Sequence, residues 1–226
     1  MDAAPSPWPR LADAWWVYLL AAVELVLFPV GLIARARCAV GRCAHSWFHH
    51  AVDLDAIGGL PRLLITGLFV AVAVLGWRAS RRSAGTARSW WLAVAGLGVL
   101  LALAKVVSVH STAKEDSPLL TLVVGLALAG AALGGLAVTG RRREIAGARS
   151  VVVALAAYAV AALGLDAFGS AVLAAHRHVI LLGAFCTFVE EFGEAVTGLL
   201  VVVAVRWSMP TARVPGDDDL AAPLQG

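Results

Sequence analysis

The stretch ILLGAFCTFVEEFGEAVTGLLVVVAV, residues 180–205, decides how this chain folds. It is long and apolar enough to cross about 30 Å of hydrocarbon as a helix, yet Glu190, Glu191 and Glu194 lie near its middle. On a helix these three carboxyl groups project within an arc of about 100°. Because a carboxylate facing lipid is costly, this face is expected to point into a bundle of helices. The stretch therefore predicts a membrane helix that encloses a polar site with its neighbours.

The rest of the chain is equally apolar. Its 226 residues are 60% hydrophobic and only 15% charged, whereas soluble proteins average about 25% charged residues. Apolar runs long enough to span a bilayer occur at residues 15–33, 60–77, 90–109, 119–139, 151–174 and 180–205. The short alternating segments of a membrane barrel are absent from the sequence. We therefore predict an all-α, polytopic membrane bundle of about six transmembrane helices.

The placement of arginine predicts the orientation of this bundle. Cytoplasmic loops retain Lys and Arg, and arginines are concentrated near the start of the chain and after the second, fourth and sixth apolar runs: Arg10, Arg78, Arg81, Arg82, Arg88, Arg141, Arg142, Arg143, Arg149, Arg206 and Arg213. We therefore predict a multi-pass protein of the cell membrane with both termini cytoplasmic. Residues 1–14 would form a short lead, residues 15–207 the transmembrane domain, and residues 208–226 a disordered cytoplasmic tail.

The same arginines bear on the partners of the protein. They lie in short loops beside the membrane, where topology and anionic lipid already explain them. We therefore expect the lipid bilayer to be the partner of these loops, and no nucleic acid.

Two further ionisable residues interrupt the apolar runs. Glu24 in the first run and Lys105 in the third lie at depths comparable to that of the three glutamates. Four acids and one base cannot all be charged in an apolar interior, since desolvation and mutual repulsion both oppose ionisation. We therefore interpret Glu24, Lys105, Glu190, Glu191 and Glu194 as an ion or proton pathway. The alternative is a neutralised network that only holds the helices together.

Histidine is confined to the opposite side of the predicted membrane from the arginine-rich loops. Imidazole is the commonest metal ligand, and a zinc site needs three or four ligands in tetrahedral reach. The candidate ligands are His49, His50, His110, Asp166, His176 and His178. Their spacing lacks a compact H-E-x-x-H signature. The sequence leaves open both a divalent metal cofactor and a set of unliganded interface histidines.

Two cysteines lie close together in the first long loop. Cys38 and Cys43 are spaced C-x4-C, which allows a disulfide in an oxidising compartment if the backbone geometry permits it. Two free thiols are the alternative.

Glycine spacing suggests where helices pack closely. Gly130 and Gly134 form a G-x-x-x-G pattern in the fourth run, and Gly96 and Gly98 lie in the third. Small residues let the backbones of membrane helices approach each other. We therefore predict that these glycines lie at contacts between helices.

Three functions fit this pattern. The favoured one is a small proton- or cation-handling transporter or channel component, because transporter sites lie near the membrane midplane, where the acids are expected. The second is a membrane-embedded enzyme acting on a lipid or isoprenoid, with the glutamates as acid and base and a metal held by the histidines. The third is an accessory or assembly subunit whose polar positions contact a membrane partner or a second copy of the chain.

Overall fold

The computed structural model describes residues 14–43, 45–107, 118–176 and 179–210. These residues are mostly helical and contain no strand. The helices are α1 (Trp15–Ala39), α2 (Ser46–Val52), α3 (Leu60–Arg81), α4 (Gly85–Val107), α5 (Pro118–Arg142), α6 (Ala148–Ala159), a π-helix (Val160–Leu165), α7 (Asp166–Ala175) and α8 (Ile180–Ser208). The all-α prediction is confirmed.

Among the described residues, five helices are long and apolar enough to cross a membrane. They are α1, α3, α4, α5 and the continuous helical stretch Ala148–Ala175, which contains α6, the π-helix and α7. The prediction of a polytopic helical membrane bundle is therefore confirmed. The sixth predicted crossing corresponds to α8, which has 29 residues but carries Glu190, Glu191, Glu194 and Arg206. That α8 crosses the membrane remains a prediction, as does the side on which each terminus lies.

Several helices extend beyond the apolar runs that predicted them. Helix α1 continues to Ala39, α3 continues to Arg81, and α4 already begins at Gly85. Arginine forms helices readily and its long side chain reaches the polar edge of the membrane, so a helix need not end where the apolar run ends. Residues 108 and 109 of the third run, and nearly all of the predicted lead and tail, lie outside the described residues.

Helix α8 lies at the centre of the bundle. It packs against α1, α3, α6, the π-helix and α7. The rings of Phe28 and Phe192 lie 5.7 Å apart at the contact between α1 and α8. Because other helices surround α8, its acidic face is shielded from lipid, as the sequence predicts.

The helix pair α3 and α4 shows why glycine matters in this bundle. A Cβ atom added to Gly98 would lie 2.8 Å from the backbone nitrogen of Ala73, and one added to Gly76 would lie 3.0 Å from that of Ala95. Glycine thus allows the two backbones to approach closely, and the predicted contact at Gly98 is confirmed.

Helix α5 differs from the other long helices. Only 6% of its most apolar stretch is buried, and Cβ atoms added to Gly130 or Gly134 would meet no described atom within 4 Å. Gly96 is equally open. The predicted helix contacts at these three glycines are therefore wrong within the described part of this chain, because α5 meets its neighbours along another edge and Gly96 faces away from α3.

The connection between α1 and α3 folds over one end of the bundle. We call residues 45–59 the cap. Leu54 is completely buried, and a Cβ atom on Gly31 would lie 2.6 Å from the carbonyl oxygen of Val52. An ion pair of 2.8 Å joins Arg35 to Asp53 and fixes the cap to α1. We call this end of the bundle the cap end, and the opposite end, with Arg78, Arg142 and Arg206, the arginine end.

Just before the cap, Cys38 and Cys43 are joined by a disulfide. Of the two alternatives that the sequence leaves open, the structure therefore contains the bonded one. The bond closes the turn that follows α1 and so restricts how the chain enters the cap.

Candidate functional site

Lys105 meets two glutamates of α8 in the interior of the bundle. Its Nζ atom lies 2.5 Å from Oε2 of Glu194 and 3.5 Å from Oε2 of Glu191. Both glutamates are buried. Because residues three apart lie on one helix face, both carboxyl groups face α4. We call Lys105, Glu191, Glu194 and Tyr158 the lysine–glutamate cluster.

Tyr158 is the member of the cluster that the sequence analysis missed. Its hydroxyl group donates a hydrogen bond of 3.1 Å to Oε2 of Glu194. Its ring is buried and packs edge-on against Phe69, with the ring centres 4.6 Å apart. The same carboxylate oxygen is thus contacted by a lysine from α4 and a tyrosine from α6. The sequence did contain a signal for this role, namely a tyrosine inside an apolar run. A buried tyrosine usually needs a hydrogen-bond partner.

Arg62 carries a buried charge beneath the cap. Its guanidinium group lies 2.6 Å from Oδ1 of Asp55, and the arginine is buried whereas the side chain of Asp55 is 49% exposed. An ion pair therefore extends from the exposed surface of the cap to a buried guanidinium group at the start of α3.

The position of Arg62 was not predicted. The sequence places it in the first turn after a loop, where an exposed arginine is expected. It is buried because the cap folds back over the start of α3. The available signal was the pair of acids, Asp53 and Asp55, just before it in the chain.

Glu190 has a different surrounding from its two neighbours. Among the described residues, Lys105 forms ion pairs with Glu191 and Glu194 but none with Glu190. Glu190 therefore lies outside the lysine–glutamate cluster. Asp166 is buried at the start of α7, directly after the π-helix. A π-helix shifts the register of the residues that follow it and often occurs at functional sites.

Glu24 is buried in α1 but does not join the cluster. Its Oε1 atom has no hydrogen-bond partner among the described residues. No ion pair in the described part of the chain links Glu24 to Lys105 or to the glutamates of α8. Of the five residues of the predicted pathway, the structure therefore brings Lys105, Glu191 and Glu194 into contact. The role of all five remains a prediction.

The histidines and Asp166 are not gathered into a metal site within the described residues. His49 lies in the cap, with Nε2 3.8 Å from Oδ2 of Asp53, while His50 and His176 are exposed. Residues 110 and 178, the other two histidines of the predicted set, lie outside the described residues. No group of three His, Cys, Asp or Glu side chains in the described ranges could hold a metal ion. A metal site that uses all six candidates remains a prediction.

The cluster is chemically suited to hold and move a proton. With Lys105 protonated and both glutamates ionised it carries one net negative charge, and one added proton would neutralise it. The short contacts of Lys105 and Tyr158 with Glu194 allow that proton to move between oxygen and nitrogen atoms. The chain matches no family model, no curated protein and no solved structure.

Proposed function

We propose that this protein is a small proton-handling transporter or channel component of the cell membrane, with both termini cytoplasmic. The observation that carries the proposal is the buried contact of Lys105 with both Glu191 and Glu194. Charged groups at membrane depth are costly to bury and usually mark proton or ion pathways. Lys105 and the two carboxyl groups that it contacts supply the sites between which a proton can move.

A proton fits this site better than a metal cation. The ammonium group of Lys105 already lies between the two carboxylates, where a cation would otherwise bind. A metal ion would have to displace it and would be repelled by its charge. A proton needs no such displacement, because it is carried by the side chains themselves.

The structure suggests the side from which protons would enter. At the cap end, the buried Arg62 pairs with Asp55, whose side chain is exposed at the surface of the cap. Towards the arginine end, the interior is filled by Trp90, Trp91 and Val205, all of which are buried. We infer that this conformation is open to protons from the cap end, and that release at the arginine end requires the helices around α8 to move.

Flux measurements on purified protein test this function. The protein is reconstituted in vesicles that contain a pH-sensitive dye, and a pH gradient is applied. Wild-type protein is expected to dissipate the gradient, whereas Glu194→Gln and Glu191→Gln are expected to reduce the flux to that of empty vesicles. Glu144→Gln is the matched control, because Glu144 is an exposed acid at the arginine end. Wild-type flux in both cluster variants, with normal amounts of folded protein, would refute the proposal.

The exposure of α5 favours a second candidate function, that of an accessory or assembly subunit. Cβ atoms added to Gly130 or Gly134 would meet no described atom within 4 Å, although glycines with this spacing commonly join membrane helices. In this case Gly130→Leu and Gly134→Leu would separate the protein from a second membrane chain during mild purification. Flux by the isolated wild-type protein, unchanged in these variants, would count against this candidate.

A further inference from the structure

A groove lies between α1 and α3 on the outside of the bundle. Both helices pack against α8, but they make much less contact with each other. The gap between them has a volume of about 570 Å³, and its walls are mostly apolar. The lining includes Leu20 of α1, Leu64, Leu68 and Leu75 of α3, and Val202 of α8.

The length of the groove suits a lipid chain. Its lining extends along α3 from Leu63 to Arg78, which corresponds to about 22 Å at a rise of 1.5 Å per residue. One leaflet of the hydrocarbon core is about 15 Å thick. The groove can therefore accept an acyl chain over the full depth of a leaflet.

The charge of the groove differs sharply between its ends. Arg78 and Arg206 line it at the arginine end, together with Trp16. Both arginines are exposed, and neither forms an ion pair with a described residue. No acid is among the described residues that line the groove. Tryptophan and arginine are the side chains that mark the interface between hydrocarbon and head groups.

A glycine keeps the middle of the groove open. A Cβ atom added to Gly67 would meet no described atom within 4 Å. Gly67 is therefore not required for a close contact between helices, unlike Gly76 of α3 and Gly98 of α4, which lie where those two helices meet. A larger side chain at this position would occupy the groove itself.

We propose that this groove binds one molecule of an anionic phospholipid, with an acyl chain between α1 and α3 and the phosphate between Arg78 and Arg206. Basic sites between transmembrane helices recognise anionic head groups, and here the apolar channel continues directly from the two arginines. This proposal is independent of proton handling, since the groove shares no residue with the lysine–glutamate cluster.

Native mass spectrometry of the purified protein tests the proposal. The protein is mixed with phosphatidylglycerol or phosphatidylcholine carrying identical acyl chains, and the retained lipid is measured. Wild-type protein is expected to retain phosphatidylglycerol preferentially. The double variant Arg78→Gln/Arg206→Gln is expected to weaken that retention about ten- to thirtyfold, the combined effect of two arginines near the membrane surface. The matched control is Arg82→Gln/Arg142→Gln, which removes two exposed arginines that do not line the groove.

A second variant tests the acyl-chain site separately from the charges. Gly67→Leu is expected to reduce retention of both lipids, because its side chain fills the channel. Glycerol phosphate, which carries an anionic phosphate group without acyl chains, is expected not to compete. Equal retention of the two lipids, equal losses in the control pair, or full competition by glycerol phosphate would overturn the proposal. A protein dimer that Gly67→Leu dissociates would overturn it as well, since the groove would then hold a second copy of the chain.

Discussion

The carboxyl groups of Glu24 and Glu194 are buried to almost the same extent, but their contacts differ. Glu24 is 2% exposed and Glu194 is 3% exposed. Glu194 is contacted by Lys105 and Tyr158, whereas Oε1 of Glu24 has no hydrogen-bond partner among the described residues. A buried carboxylate is stable as an anion only when paired and hydrogen-bonded. The contacts of Glu194 therefore stabilise a negative charge there better than the surroundings of Glu24 do.

This difference shows that burial alone does not identify the functional acid. A paired acid can exchange its proton with a neighbour, because acceptors and donors lie within reach. An isolated acid needs a new partner, such as water or a moving side chain, before it can do so. The cluster around Glu194 is therefore the better candidate for proton transfer in this conformation.

The strongest test of the comparison removes the base from the cluster. Lys105→Met leaves Glu191 and Glu194 without the lysine, and loss of one partner from a buried ion pair typically lowers the free energy of unfolding by about 3–5 kcal/mol. Unfolding of the purified protein in mixed micelles measures this loss. Arg142→Met, at an exposed position, is the control and should change the stability by less than about 0.5 kcal/mol.

Neutralising the acids should rescue the same variant. When Glu191→Gln and Glu194→Gln are added to Lys105→Met, no uncompensated charge remains, so most of the lost stability is expected to return. If Lys105→Met alone were as stable as the wild type, the cluster would not depend on its lysine. The contrast with Glu24 would then have no energetic basis.

A smaller loss is expected when the cluster loses one hydrogen bond. Tyr158→Phe removes the hydroxyl group that donates to Glu194 but keeps the ring against Phe69. A hydrogen bond to a charged group contributes about 1.5–3 kcal/mol, and the same unfolding assay should show a loss of that size. Tyr18→Phe, at the exposed other tyrosine of the chain, should have little effect. Equal effects in both variants would argue that Glu194 is not ionised.

At the contact between α1 and the cap, packing is expected to affect the free energy of unfolding more than charge does. Gly31→Ala places a methyl group 2.6 Å from the oxygen of Val52 and 2.7 Å from Cδ2 of Leu54, which forces the cap away from α1. Overpacking of this kind costs about 1–3 kcal/mol, and faster proteolysis within the cap would accompany the loss. Gly67→Ala adds the same methyl group in open space and should be nearly neutral. A neutral Gly31→Ala would mean that the cap is not held at this contact.

The smallest effect is expected at Glu24 itself. Glutamine resembles a protonated glutamate in size and charge, so Glu24→Gln should change the free energy of unfolding by less than about 1 kcal/mol, the typical cost of a point substitution. The value is obtained by unfolding at neutral pH, beside Glu194→Gln in the same micelles. A loss as large as that of Lys105→Met would show that Glu24 is ionised and paired, and the comparison would fail.

The apolar runs predicted the helices well because the length and polarity of a run are properties of consecutive residues. Residues 60–77 became Leu60–Arg81, and residues 180–205 became Ile180–Ser208. The candidate site was predicted less completely. Lys105 and two of the three glutamates meet as expected, but Tyr158 and Arg62 were missed and Glu24 lies apart. Which side chains meet at the site depends on the rotation and depth of each helix in the bundle. Neither can be read from a single apolar run.

By itself, the sequence determined that the chain forms long apolar helices and that one of them carries acids that must avoid lipid. Those conclusions follow from the free-energy cost of exposing backbone groups and charges to hydrocarbon. That cost depends on each segment separately. The tertiary structure alone decided that Glu194 is paired, that Glu24 has no ion-pair partner among the described residues, and that Arg62 is buried beneath the cap. Such pairings join side chains from different helices, so their energies depend on distances that arise only when the helices pack around α8.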